Sequence, residues 1–212
     1  MLTLLQIPWS PFCITLRRIL TQHRIPHRVR DIPPFGDRAE VVRATRGLGA
    51  TVPCLLDGRR AIVDTSDFGQ ETARYVDAKY RLGLFPKERE GHQLLLARYI
   101  ESELEAIGFK VNDTYFIPTL PLLERTNAIR WKERKFGRGC VAQWTRDRAK
   151  LAAQMEDLLA PLDNILASSP FLLGPKPLFV DYDLYGILGN YRHSGNVRFP
   201  ALKHLRRWHA AM

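Results

Sequence analysis

Cysteine is scarce: three residues in 212, Cys13, Cys54 and Cys140, odd in number and far apart. That excludes a disulfide framework and a cysteine-rich zinc site, so no metal is expected and a reducing compartment fits best. Long apolar runs are also missing; no window approaches the roughly 18 residues a spanning helix needs. The opening "MLTLLQIPWS" has no basic leader, and its apolar run is short and broken by Pro8, unlike a signal peptide. The expectation is a cytoplasmic protein with no membrane partner. Acids are few, 22 against 32 Lys and Arg, for a formal charge of +10. Such an excess invites a nucleic-acid reading. However, the densest block, "RWKERKFGRG" (130–139), reads as a solvated helix end and loop. No RNP-like aromatics, zinc-finger spacing or recognition-helix unit accompany it. Nucleic acid is therefore not expected, and a basic surface equally attracts small anionic substrates.

What is present is ordinary for a folded chain: 45% hydrophobic and 25% charged residues. The length suits one large domain or two modest ones, and there is no internal repeat or low-complexity tract. "LTLLQIP" (2–8) reads as a buried strand. Ser10–Pro11 then starts a helix to about His23, with Phe12, Leu16, Ile19 and Leu20 as its apolar stripe. "PHRVRDI" (26–32) alternates like a second strand, and "DRAEVVRATRG" (37–47) is a short helix ended by Gly47. "VPCLLDGRRAIVDT" (52–65) is a hairpin around Asp57–Gly58, and "SDFGQETARYVDAKY" (66–80) is a helix. The order βαβαββα is that of a thioredoxin-like sheet.

"RLGLFPKER" (81–89) is the best linker in the chain. Beyond it everything reads as helix, with apolar stripes in 94–107 and 148–166, another helix at about 181–190, and a last one in "PALKHLRRWHAAM". The expected organisation is a thioredoxin-like domain over 1–80, a linker over 81–86 and an all-helical domain over 87–212.

Four local features, in this order, resemble the cytosolic glutathione transferase superfamily over essentially the whole chain. They are "SPFC" after the first strand, "TVPCLLDG" with Val-Pro opening the third, "IVDTSDF" at the end of the fourth, and "FLLGPKPLFVDYDLYGIL" with Asp181 in the family's acid position. The resemblance implies a thioredoxin-like N-terminal domain followed by an all-α helical-bundle domain, and glutathione as co-substrate. It also implies a small hydrophobic electrophile as second substrate, and a homodimer. By the same resemblance, Ser10 is the thiolate-stabilising residue of a Ser-type enzyme. Val52, preceding the family's cis proline at Pro53, pairs with the backbone of glutathione's cysteine. Asp64 and Thr65 meet its γ-glutamyl end.

The chemistry suits those residue types. The thiolate is the nucleophile, so the enzyme's task is to stabilise S⁻. A hydroxyl at a helix N-terminus donates to sulfur while the helix dipole favours the anion. Such a bond is worth about 1.5–3 kcal/mol, or about one to two pKa units. Thr65 at an N-cap would present its hydroxyl and the following N–H groups to a carboxylate, leaving Asp64 for the ammonium.

Each motif also has a plainer reading. Ser10–Pro11 is a good cap pair, Asp64–Thr65–Ser66 caps its own helix, and Val52–Pro53 is a turn entering a strand. Cys13 lies one turn inside the helix that Ser10 starts; it is either a covalent participant or a partly buried helical residue. Leu178 replaces the usual Ser or Thr cap before Asp181. No Lys or Gln precedes Pro53 to take glutathione's glycyl carboxylate, for which Arg17, Arg18, His23 and Arg38 are the substitutes at hand. Tyr99, Phe109, Tyr115, Phe116 and Trp131 are the available walls for the second substrate. Three functions stay open: a Ser-type transferase, a glutathione-dependent thiol–disulfide or dehalogenating variant using Cys13, and a non-catalytic binding or interaction protein on the same scaffold.

Overall fold

The computed structural model describes residues 1–65 and 68–212. Its N-terminal part holds four strands, β1 (Leu2–Gln6), β2 (His27–Asp31), β3 (Cys54–Asp57) and β4 (Arg60–Val63), in the order β2-β1-β3-β4. β1 runs parallel to β2, with Leu4 opposite Val29, and antiparallel to β3, with Leu4 opposite Leu55. Leu2, Leu4 and Leu5 of β1 are all fully buried. A strand covered on both faces needs such an unbroken apolar run. Successive side chains point to opposite faces. Leu2 and Leu4 accordingly join the large core shared with the helices, and Leu5 joins a smaller one with Ile32, Val41 and Val63. β2 is an exposed edge, and its His27, Arg28, Arg30 and Asp31 guard it against pairing with another chain. Gly58, at φ 59°, makes the β3–β4 turn.

Three helices belong to this half: α1 (Pro11–Gln22), α2 (Ala39–Ala44) and α3 (Glu71–Tyr80). The helix expected over 66–80 begins later, at Glu71, and positions 66 and 67, with the expected cap Ser66, lie outside the described residues. The late start goes with a cap from outside the helix. The Asp64 carboxylate, not a residue adjoining the helix, accepts the Thr72 N–H (2.9 Å) in the first turn. Thr65 is therefore not the N-cap that its position suggested.

Residues 81–86 carry Arg81 and Gly83 at positive φ, but they do not hang free. Leu84 is buried; its N–H donates to Asp77 Oδ1 (2.9 Å), and its carbonyl accepts from Gln93 Nε2 and from the Phe179 N–H. The helical half then follows. α4 (Glu90–Tyr99) passes through a π-helical turn (Ile100–Leu104) into α5 (Glu105–Phe116). α6 (Leu122–Phe136), α7 (Cys140–Arg146), α8 (Arg148–Ser168), α9 (Phe179–Tyr191) and α10 (Lys203–Ala211) complete it.

α9 is the pillar of the molecule, buried along almost its whole length. It packs closely on α1, because Gly186 faces the Pro11 carbonyl and the Thr15 hydroxyl, and Gly189 faces Ile14. Its start is held by Asp181. That carboxylate accepts from the Leu178 N–H, the Leu172 N–H and Trp208 Nε1, each at 2.9 Å. Leu178 has no side-chain acceptor to return, and its carbonyl takes the Asp181 N–H instead (3.0 Å). Half of the capping box survives on the acid alone.

Candidate functional site: a cleft at the start of α1

A cleft of about 630 Å³ opens between the start of α1, the 34–38 loop and the faces of α5 and α6. Ser10 lies in its wall with Trp9, Arg38, Thr51 and Val52. A second hollow of about 390 Å³ shares Phe12, Thr51, Val52, Glu105 and Lys135 with it and is completed by residues that include Pro53, Asp64 and Glu101. Ser10, Val52, Pro53 and Asp64 thus border one continuous depression.

Ser10 occupies the N-cap position of α1 with Pro11 behind it, but its side chain makes no cap bond. Ser10 therefore does not itself answer the first-turn amides, whose positive ends face the start of the helix. The hydroxyl lies close enough to Cys13 to pull its thiol pKa down. α1 is held at both ends: Asn190 of α9 donates to the Trp9 carbonyl (2.8 Å) just before its start, and His23 at its end meets the Tyr182 hydroxyl (3.0 Å). Cys13 is fully buried, and burial pushes its thiol up to about 11, against the pull of the Ile7 backbone and the Ser10 hydroxyl. A thiol of that kind is neither accessible nor ionised near neutrality, which speaks against a covalent role. Cys54 is likewise buried and pushed up to about 11.

Val52 precedes β3 and stands outside the strand ladder, which begins at Cys54, so its backbone groups are not committed to a partner strand. The Val52–Pro53 peptide is cis. Asp64 is largely buried; burial pushes its carboxyl up to about 6, against the bonds from the Thr72 N–H and hydroxyl. It is a helix anchor first. Thr65 is exposed, and its hydroxyl (2.8 Å) and N–H (3.4 Å) both donate to Glu71 Oε1. A carboxylate of the chain itself thus sits where a γ-glutamyl carboxylate was expected.

Of the four basic substitutes for a glycyl-carboxylate partner, only Arg38 reaches the cleft. Its Nη2 donates to the Pro34 carbonyl (2.8 Å), and its buried Nη1 has no hydrogen-bond partner among the described residues. Arg17 is tied to Gln6 and the Pro8 carbonyl, Arg18 lies over the Tyr185 ring, and His23 faces Tyr182. Among the expected aromatic walls, Phe109, Phe116 and Trp131 line the cleft. Tyr99 donates to the Leu158 carbonyl, and Tyr115 lies under Arg148.

Sequence reasoning missed the charges on the helical wall. Glu105 is pushed up by burial, with Lys132 and Lys135 opposing; Lys132 pairs with buried Asp113 at 2.6 Å. The signal was there in the spacing of Glu101 and Glu105, one turn apart, but acids on a helix usually read as a solvated face.

Residues 4–81 match the family of glutathione S-transferase N-terminal domains. No curated protein matches the chain. A glutathione transferase from Phanerochaete chrysosporium superposes with a TM-score of 0.82 at 14% identity, over 99% of this chain and 95% of that one. A glutathione S-transferase of Ceriporiopsis subvermispora, solved in complex with glutathione, gives 0.77 at 18% identity, over 91% and 85%. Glutaredoxin 2 from Salmonella typhimurium, also in complex with glutathione, gives 0.76 at 19% identity, over 100% and 92%. The chain therefore has the transferase fold, a thioredoxin-like domain followed by a helical one.

Proposed function

We propose that this protein binds glutathione in the α1 cleft and catalyses attack of its thiolate on a small electrophile. The observation that carries this reading is the uncapped start of α1. There a hydroxyl that makes no cap bond and the positive end of a helix border the same depression as Val52, whose backbone lies outside the strand ladder. Ser10 donates to the thiolate, Val52 pairs with the backbone of the cysteinyl residue, and Pro53 shapes the strand entry. Arg38, which lines the cleft, takes the glycyl carboxylate. Thr65 receives the γ-glutamyl carboxylate once Glu71 leaves it, and Asp64, with Glu101 and Glu105 beside it, supplies the negative field for the ammonium.

The glutaredoxin likeness supports glutathione binding but not the two-thiol chemistry, since Ser10 stands where the first sulfur would be and Cys13 is buried. One observation favours the non-catalytic alternative: the Glu71 carboxylate already occupies the Thr65 donors.

Ser10→Ala tests the proposal. Loss of a charge-assisted bond of about 1.5–3 kcal/mol lowers kcat about ten- to a hundredfold and raises the thiol pKa of bound glutathione by about one to two units. Both are read from the pH profile of conjugation and the ultraviolet absorbance of the thiolate. Unchanged turnover would remove Ser10 from the chemistry. Absence of glutathione binding to the unaltered protein by calorimetry would remove the enzyme.

A further inference from the structure

A third cavity, of about 780 Å³, lies against the mouth of the cleft and shares with it Phe35, Arg38 and Trp131. Its own contribution is cationic: Arg130 and Arg134 of α6, and Arg138 just beyond the helix end. Among the described residues none of these three has an ion pair or hydrogen bond to an acid. The one acid in the wall, Glu133, accepts the Gly139 N–H (2.8 Å). Arg130 and Arg134 are one turn apart, where like charges repel and weaken a helix. Here three exposed arginines line one hollow that Arg38 also borders. Trp131, 45% exposed, stands at the junction of groove and cleft. It offers a flat apolar face beside planar donors suited to bidentate binding of an oxoanion.

We infer that the groove binds the anionic end of the second substrate, which is an aromatic electrophile carrying a carboxylate or comparable oxoanion. Its ring lies on Trp131 and points toward Ser10, and its charge is held by Arg130, Arg134 and Arg138. One carboxylate of glutathione needs only Arg38, so the other three guanidiniums are surplus to that ligand. The chemical step rests on the transferase reading; the binding does not. With a chloronitrobenzoate, the glutathione sulfur forms a C–S bond at the carbon bearing chlorine. The C–Cl bond breaks, chloride leaves with the electron pair, and the thiol proton passes to solvent.

The test compares a chloronitrobenzoate with its neutral methyl ester in the wild type and in Arg130→Gln/Arg134→Gln/Arg138→Gln. All three positions are exposed, so the fold is retained. The triple variant should lower kcat/KM for the acid by about tenfold or more through KM, as loss of charge-assisted bonds requires, and leave the ester and the KM for glutathione within about twofold. Equal losses for acid and ester, or no loss for either, overturn the inference.

Binding is read separately. Without glutathione, nitrobenzoate should quench tryptophan fluorescence saturably, more weakly at high salt and about tenfold more weakly in the triple variant. No saturable binding to the wild type overturns the inference. Saturable, arginine-dependent binding in a protein that neither binds nor turns over glutathione leaves the groove standing and removes the transferase reading.

Discussion

Cys13 and Ser10 are three positions apart on one helical turn and close enough to interact, yet their exposure differs. The thiol is buried and held neutral by burial; Ser10 borders the cleft. Cys13→Ala should therefore keep turnover and lose about 1 kcal/mol of stability, the scale of a small core truncation. Denaturant titration beside a conjugation assay checks both, and abolished turnover in a stable variant would restore the thiol mechanism. The pair also shows what a sequence withholds about single residues. "SPFC" announced a helix start, because Ser before Pro is a local signal. Which of Ser10 and Cys13 faces the cleft depends on how α9 and the sheet close over α1. Arg38 was one of four equal candidates for the same reason: only folding of the 34–38 loop brings it, and not Arg17 or Arg18, to the cavity.

At the scale of elements, the pattern was legible wherever the cause of the structure is local. β1, α1, the β3–β4 hairpin and α9 stand close to where apolar periodicity, Pro11, Gly58 and Asp181 placed them. α3 failed at its start, because its cap comes from Asp64, eight residues before Thr72, and no adjoining residue announces it. The π-helical turn between α4 and α5 was invisible, since apolar positions on either side keep the same stripe. The α1–α9 contact is the element pair on which the site depends. A Cβ at Gly186 would collide with the Pro11 carbonyl and the Thr15 hydroxyl, and neither helix can retreat without moving Ser10. Gly186→Ala should cost about 1–3 kcal/mol as overpacking, lowering Tm by several degrees at about 2–4 °C per kcal/mol for a chain of this size. Thermal unfolding measures it; an unchanged Tm would mean that the helices part more easily than their packing implies.

For the whole molecule, the buried carboxyls set the response to pH. Asp64 and Asp181 are pushed up to about 6 by burial, and Asp183 well above its ordinary value, with burial first and then the charges of Glu101 and Glu105 as causes. A carboxyl whose pKa is higher folded than unfolded binds more protons in the native state. Its contribution to stability is therefore complete below the unfolded value near 4 and lost as pH rises through the folded one. Asp183 is buried, and among the described residues neither of its oxygens has a hydrogen-bond partner. Asp183→Asn, which never ionises, should be more stable than the wild type at pH 8, with the advantage shrinking toward pH 4. Urea midpoints across that range decide it, and an advantage independent of pH would mean that packing rather than ionisation is responsible.

The Glu71 carboxylate on Thr65 bears on all of this from the substrate's side. Under the proposed function, glutathione does not fill a vacancy at its γ-glutamyl end; it displaces a tethered competitor that is always present at high effective concentration. Entry is an exchange of one carboxylate for another, and the apparent affinity is the intrinsic one reduced by the share of time Glu71 stands aside. Once displaced, Glu71 is a free negative charge at the start of α3, beside the bound ammonium. The residue that delays the ligand would then help to keep it.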